Sequence, residues 1–324
     1  MQQRTAKVEP DISGVVFFDK PYGWTSRQAV NALVRLFSRP GEKRIKAGHA
    51  GTLDPLATGM LPILLGEATR YAEMGLNADK SYQVSIDLSY QTDTLDCEGD
   101  VLARFDGVVD KAMVQQALDA YTGDIEQTPP AYSAIRIDGK RSHAMARKGE
   151  TVNIPARPIT VHAIRLLAFD FPLLTLQVNC SKGCYIRSLA RDIGAALAMG
   201  GCVTVLRRLA TGGWPEAMMV TPEQLQAEPD ACLLSLAQWL REMPHVCLQG
   251  GLACRFVQGQ RIQLSAESGY ADAYDEQMPV SVFAGDKLLL GTGMLKPGHH
   301  RVVLHPARIL PSAQQRYIHR NLNS

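Results

Sequence analysis

Two segments alternate apolar and more polar residues with a period of two, and this pattern constrains the fold more than any other feature. In residues 80–88 the apolar positions are Tyr82, Val84 and Ile86, and residues 173–180 show the same alternation. Such alternation is typical of strands that place one face on a core. Both segments are therefore predicted to be strands of a sheet.

Helices and strands alternate irregularly along the chain. Helical spacing of apolar residues predicts helices at 26–36, 111–121 and 185–197, with Ser26 as the N-cap of the first. Further strands are expected at 14–18 and 60–65. The irregular order favours an α+β fold with a mainly antiparallel sheet over a doubly wound parallel one.

The last part of the chain differs in its predicted secondary structure. A helical stretch is predicted at 223–243, and short strands dominate after it: a hairpin of 279–283 with a second strand from Leu288, and strands at 301–304 and 307–310. A length of 324 residues allows two domains. We therefore expect one domain at 1–246 and a small β-rich domain at 247–324.

The charge is informative through its distribution. The formal net charge is only +2, so a nucleic-acid partner requires clustered basic residues. Such a cluster lies in the polar, turn-rich stretch 123–153 and consists of Arg136, Lys140, Arg141, Arg147 and Lys148. It is either a solvated surface loop or an RNA-gripping insertion at about 124–153, and the second interpretation is favoured because folded RNA is bound largely through shape and backbone.

No targeting or membrane segment is expected. The first apolar run is four residues long, and the longest uncharged run, 193–206, is shorter than the roughly 18 residues that a membrane span needs. Seven cysteines show no framework, and the pair Cys180 and Cys184 lacks a second ligand pair. These features predict a cytoplasmic protein with inert thiols and no metal.

Residues 48–59, with the sequence GHAGTLDPLATG, form the segment most suited to chemistry. Three glycines permit backbone conformations closed to other residues, and Pro55 stiffens the chain directly after Asp54. A carboxylate is thereby displayed on a tight loop near His49. The alternative is an ordinary turn in which Asp54 bonds its own backbone.

Together with 19–21 (DKP), 80–82 (KSY), 181–187 (SKGCYIR) and 206–209 (LRRL), this segment resembles the bacterial tRNA pseudouridine-55 synthase family, TruB. The similarity runs from about residue 12 to 220. The resemblance implies a pseudouridine synthase catalytic domain and a C-terminal PUA-like RNA-binding domain. It also implies a tRNA T-arm stem-loop as substrate. Because an isomerisation gains and loses no atoms, neither cofactor nor metal is expected, and a monomer without an obligatory protein partner suffices for the chemistry.

The resemblance also assigns roles to residues. It makes Asp54 the catalytic aspartate, Tyr82 the aromatic that stacks on the target base and Arg187 the basic partner of the aspartate. Further contacts with the uridine or the RNA are expected from His49, Tyr185, Leu206, Lys20 and Arg141. Without the resemblance, Arg187 would fit a surface helix and Tyr82 a core position equally well.

Pseudouridine formation is compatible with these roles. The bond from ribose C1′ to uracil N1 breaks and the base rejoins through C5, so no atoms are gained or lost. A carboxylate can attack covalently or act as a base, and both routes need its charged form, which a neighbouring guanidinium favours. The stacked target base must be flipped out, and an aromatic face contributes about 1–3 kcal/mol of stacking per base.

Three other functions are considered. An RNA-binding or RNA-folding protein without catalysis would bind the same RNA and differ only in turnover. The catalytic subunit of a guide-RNA particle would tend to carry a different pair after the Asp-Pro step and long basic extensions, whereas Leu56 and Ala57 follow here. An aspartyl phosphatase would need a second aspartate at position 56.

Overall fold

The structure, a computed structural model, describes residues 12–41, 43–133, 135–137, 140–142, 145, 148, 154–264, 277–285, 288–298 and 301–321. The strands are β1 Gly14–Lys20, β2 Ala47–His49, β3 Thr58–Leu65, β4 Lys80–Asp87, β5 Tyr90–Thr92, β6 Val101–Arg104, β7 Gly123–Gln127, β8 Arg136–Ile137, β9 Lys140–Arg141, β10 Arg157–Asp170, β11 Leu173–Cys180, β12 Cys202–Thr211, β13 His245–Leu248, β14 Ile262–Leu264, β15 Met278–Ala284, β16 Leu288–Gly298 and β17 Arg301–Ile309. The helices are α1 Ser26–Phe37, α2 Ala72–Asn77, α3 Lys111–Ala120, α4 Ile186–Ala196, α5 Pro222–Ala227, α6 Leu236–Trp239, α7 Gly251–Val257 and α8 Pro311–Asn321, with 3₁₀ turns at Gly66–Tyr71 and Glu216–Met218.

The larger sheet has the strand order β1–β3–β12–β4–β11–β10–β7, with β2 beside β3. Its pairings are antiparallel except for the parallel contact between β3 and β12. This arrangement confirms the predicted α+β fold with a mainly antiparallel mixed sheet.

Strand β1 is buried on both faces, because its side chains alternate between two cores. Val16 and Phe18 join the core that α1 and α4 cover. Val15 and Phe17 join a second core that continues into the C-terminal part of the chain. Alternate residues of a strand point to opposite faces, so β1 contributes side chains to both cores and connects them.

The C-terminal part forms a five-stranded sheet in the order β13–β15–β16–β17–β14. It is tied to the larger part by Glu67, whose carboxylate accepts from the Ser312 backbone N–H at 2.8 Å and from its hydroxyl at 2.7 Å. The predicted domain boundary at 246/247 falls inside β13 and remains a proposal. None of the helices in the described ranges has the length and apolar character that crossing a bilayer requires.

The first helix is capped differently from the prediction. Thr25 is its N-cap and forms a capping box with Gln28. Ser26 instead lies buried and uses its hydroxyl on Leu53, next to Asp54. The residue predicted to start a helix therefore supports the loop that carries the candidate catalytic aspartate.

Other segments also differ from the sequence pattern. Strands β10 and β12 were not predicted, and β7 occupies the start of the stretch expected to be an insertion. Residues 223–243 hold only the short helices α5 and α6. The two strands expected at 301–304 and 307–310 are one strand, because Pro306 lies at a register shift against β16, where a proline is tolerated within a ladder.

Candidate active site

Asp54 lies in the loop that connects β2 to β3, and glycines at both ends of the loop shape it. Gly51 has a φ of +129° and Gly59 a φ of +94°. A Cβ atom on Gly59 would lie 2.3 Å from the carbonyl oxygen of Arg208. Only glycine fits this conformation and this close approach, so the end of the loop lies tightly against β12 where it enters β3.

The residues on either side of Asp54 are held by hydrogen bonds. The Ser26 hydroxyl accepts from the Leu53 N–H at 2.8 Å and donates to the Leu53 carbonyl at 2.9 Å. The Pro55 carbonyl accepts from the Gly23 N–H at 2.9 Å. Because both neighbours are fixed, the backbone of Asp54 has little freedom to move.

Lys20 lies under this loop and is fully buried. Its Nζ atom donates to the carbonyls of Pro21 at 3.0 Å, Trp24 at 2.6 Å and Pro55 at 3.3 Å. Burial lowers the pKa of Lys20 to about 8, and the Asp54 carboxylate opposes this shift. This position corrects the RNA contact expected for Lys20: its buried side chain supports the loop and offers no surface to RNA in this conformation.

The Asp54 carboxylate contacts the Arg187 guanidinium, with 2.8 Å between Oδ2 and Nη2. The Arg187 side chain is 6% exposed, whereas that of Asp54 is 38% exposed. Arg187 is fixed from behind, since Nη1 donates to the Thr94 carbonyl at 2.8 Å and Nη2 to the Tyr132 carbonyl at 2.9 Å. Asp54 is thus paired with a buried cation and still open toward the outside.

A second carboxylate, Asp96, lies on the other side of Arg187, with 3.5 Å between Oδ2 and Nη1. Asp96 is buried, and its Oδ1 accepts from the Thr94 hydroxyl at 2.7 Å and from the Glu98 N–H at 3.2 Å. The preceding Leu95 has a φ of +65°, a strained conformation for a branched side chain. The sequence pattern did not single out Asp96, although four acidic residues within 93–100 mark this loop.

Tyr82 and Leu206 lie on the adjacent strands β4 and β12 and are both buried in the first core. Tyr82 pairs with Arg208 across the ladder, and Leu206 pairs with Val84. Burial raises the pKa of Tyr82 to about 12, while the charge of Arg208 opposes the rise. The phenol is therefore neutral at physiological pH.

His49 and Tyr185 approach the site from other elements. His49 ends β2, its Nδ1 is buried without a partner among the described residues, and burial followed by the charges of Arg208 and Arg27 lowers its pKa. Tyr185 precedes α4, and its backbone N–H donates to Gln127 at 2.8 Å. Burial raises the pKa of Tyr185, and the Asp54 carboxylate adds to the rise, whereas the Ser133 side chain and the charge of Arg157 oppose it.

The basic cluster is only partly described. Arg136 and Arg141 pair across a short hairpin of β8 and β9. The side chain predicted to contact RNA, that of Arg141, lies outside what the structure describes, as does all of Arg147. Within the described ranges, the His, Cys, Asp and Glu side chains form no group of three or more that could hold a metal ion.

Two family models match consecutive parts of the chain. Residues 39–186 match "TruB family pseudouridylate synthase (N terminal domain)", and residues 187–243 match "tRNA pseudouridylate synthase B C-terminal domain". A "tRNA pseudouridine synthase B" from Burkholderia mallei (strain NCTC 10247) is 41% identical over 303 residues, which is 92% of this chain and 97% of the relative. The chain belongs to the TruB family of pseudouridylate synthases. The resemblance carried by the sequence motifs is thereby confirmed.

Further comparisons support the same family and fold. The TruB relative from Cupriavidus metallidurans is 40% identical over 306 residues, covering 93% of this chain and 95% of the relative. A solved Cbf5–Nop10–Gar1 complex matches with a TM-score of 0.70 and 22% identity, covering 94% of this chain and 86% of that one. An H/ACA RNP bound to a substrate RNA containing 2′-deoxyuridine matches with a TM-score of 0.67 and 20% identity, covering 96% and 94%. These structures confirm the pseudouridine synthase fold.

Proposed function

We propose that this TruB family enzyme converts the uridine at position 55, in the T-loop of tRNA, to pseudouridine. Relatives with about 40% identity over nine-tenths of the chain are tRNA pseudouridine synthases B by name, which supports tRNA as the substrate. The observation that carries the chemistry is the contact between a half-exposed Asp54 and a buried Arg187. It supplies a charged carboxylate at a position that a nucleotide can reach.

Asp54 is the catalytic carboxylate in this proposal. The C1′–N1 bond of the nucleotide breaks, a C1′–C5 bond forms, C5 loses its proton and N1 gains one. Asp54 either attacks covalently or removes a proton as a base, and in both roles it acts as an anion. Arg187 pairs with the carboxylate and orients it, because its own position is fixed by carbonyls of two different loops.

The pocket for the flipped base is formed by Tyr82, Leu206 and Tyr185. Tyr82 offers a face for stacking, and its neutral hydroxyl keeps the pocket free of a competing anion. His49 enters the space that the base leaves in the RNA. A neutral imidazole suits that role, since its lowered pKa keeps it uncharged at neutral pH.

RNA outside the pocket is held by two regions. The basic residues between 136 and 148, including Arg141, contact phosphates, and the domain at 247–324 acts as a PUA-like RNA-binding domain beside the catalytic domain at 1–246. The enzyme works in the cytoplasm as a monomer without cofactor or protein partner. The 41% identity to a protein named tRNA pseudouridine synthase B favours this over a guide-RNA particle, because the likeness to such particles is at 22% identity and lies in the fold.

Incubation with unmodified tRNA and with an isolated T-arm stem-loop, followed by chemical mapping of pseudouridine, tests this function. Both RNAs are expected to gain pseudouridine at position 55, because a base-flipping enzyme needs the loop more than the remote arms. A stem-loop with cytidine at that position is the matched control and stays unmodified. Pseudouridine at another position, or none in either RNA, contradicts the proposal.

A further inference from the structure

Arg208 is a buried arginine that has no role in the reaction proposed above. It lies on β12, is 1% exposed, and its hydrogen bonds to main-chain atoms all reach the chain around Asp54. Nε donates to the Met60 carbonyl at 2.6 Å, Nη1 to the Thr52 carbonyl at 3.4 Å and Nη2 to the Gly51 carbonyl at 3.2 Å. One guanidinium therefore holds the start of the loop and the strand that follows it.

The backbone of Arg208 holds the other end of the same loop. It pairs in parallel with Gly59, the residue at which the loop enters β3. The side chain of Arg208 also leaves little room at Gly51, where a Cβ atom would lie 3.3 Å from Nη1. The path of the chain from 51 to 59, with Asp54 in its middle, is consequently set by Arg208 at both ends.

Arg208 reaches Tyr82 as well. The two residues are direct partners in the antiparallel ladder of β12 and β4, so their side chains lie on the same face of the sheet. The charge of the guanidinium opposes the rise in the pKa of Tyr82 that burial causes. Arg208 thus binds the aspartate loop through its side chain and lies beside the aromatic residue of the proposed base pocket in the ladder.

We propose that Arg208 is a positioning residue that sets the distance between the Asp54 carboxylate and the Tyr82 ring. This inference rests on the proposed function, in which the target nucleotide lies between the two. The rigid five-donor fork of arginine can bind several carbonyls at once, which the single ammonium of lysine cannot reproduce. An apolar side chain would fill the core equally well and leave the two halves of the site unconnected.

Arg208→Lys tests the proposal, with single-turnover pseudouridine formation measured at saturating enzyme beside a binding titration on the T-arm stem-loop. The rate constant is expected to fall about 10²-fold, the effect of a misplacement of roughly 1 Å at a reacting centre, with RNA affinity changed by less than about threefold. Partial unfolding alone would only lower the concentration of active enzyme, so a higher enzyme concentration would restore the wild-type rate constant.

Arg207→Lys is the matched control, because Arg207 is the neighbouring arginine on β12 and its ion pairs with Asp19 and Glu216 lead away from the loop. Its rate constant is expected to stay within about threefold of wild type, because partly exposed ion pairs such as its two contribute little. An Arg208→Lys rate constant equal to that of Arg207→Lys would overturn the proposal.

Tyr82→Phe tests the second contact of Arg208 without disturbing the loop. It keeps the ring and removes the hydroxyl, and a loss of about tenfold is expected, the size of one polar interaction with a charged group. Combined with Arg208→Lys, the losses should be less than additive, because both remove the same link. Full additivity, or no loss in Tyr82→Phe, would overturn the link. Inactive wild type would instead refute the proposed function.

Discussion

Arg187 and Arg207 each lie between two carboxylates, yet their surroundings are opposite. Arg187 is 6% exposed and contacts Asp54 at 2.8 Å and Asp96 at 3.5 Å. Arg207 is 30% exposed and contacts Asp19 through two nitrogens at 2.9 Å and Glu216 at 2.9 Å. The arginine that binds a carboxylate through two nitrogens, Arg207, is therefore the one nearer to solvent.

This difference in exposure distinguishes the surface ion pairs of Arg207 from the ion pair of Arg187 in the candidate active site. Exposed pairs contribute about 0–1 kcal/mol to stability, because water screens them and both side chains lose entropy. A buried guanidinium needs compensation, and Arg187 obtains it from Asp96 and two carbonyls. This inner compensation leaves Asp54, at the outer side, paired and accessible.

The largest effect is expected from Arg187→Met. It removes the cation beside Asp54 and leaves the buried Asp96 without its partner, so turnover should fall by at least about 10²-fold and stability by about 3–5 kcal/mol. Single-turnover rates and denaturant unfolding measure the two losses. If turnover survived while stability dropped, Arg187 would be a structural residue like Arg207.

An intermediate effect is expected from Asp96→Asn. The amide keeps the size of the side chain and can still accept from Thr94, but it withdraws the inner negative charge from Arg187. We expect the rate constant to fall by roughly tenfold to 10²-fold through displacement of Arg187, with tRNA affinity retained. A wild-type rate constant in the folded variant would show that Asp54 and the carbonyls orient Arg187 without Asp96.

The smallest effect is expected from Arg207→Met. Removing this cation frees Asp19 and Glu216, both of which reach solvent, so stability should fall by about 1 kcal/mol and single-turnover rates should hardly change. The unfolding midpoint and the rate constant are measured on the same preparation. A loss of turnover as large as that of Arg187→Met would remove the distinction between the two arginines.

Strands with a simple alternation of apolar and polar residues could be predicted from the sequence. A strand whose charged side chains are accommodated by distant partners could not. Strands β4 and β11 alternate cleanly and were found, whereas β12 carries two consecutive arginines, of which Arg208 is fully buried and Arg207 partly exposed, and resembles no ordinary strand. Their positions depend on partners far apart in the chain, such as Met60 for Arg208 and Asp19 for Arg207. The local sequence of β12 does not show which distant residues will contact it.

The candidate site was predictable to a similar degree. Asp54 and Arg187 came from the motifs, and the structure places them in contact. Asp96 was missed because an acidic turn is ordinarily a solvated surface, and only the fold brings it to Arg187. Lys20 was expected to contact RNA from the resemblance, yet its side chain is buried and its Nζ donates to three carbonyls.

The central claim, that Asp54 is the catalytic carboxylate, is tested most directly by Asp54→Asn. The substitution nearly preserves size, so the loop held by Ser26 and Pro55 should keep its shape, which a melting curve checks. Single-turnover pseudouridine formation is expected to fall by at least about 10²–10⁴-fold, and by on the order of 10⁶-fold if Asp54 is a nucleophile, while tRNA binding stays within a few-fold. A folded variant that turns over within about tenfold of wild type, below the low end of the acid–base range, would contradict the claim and make Asp54 a structural turn residue.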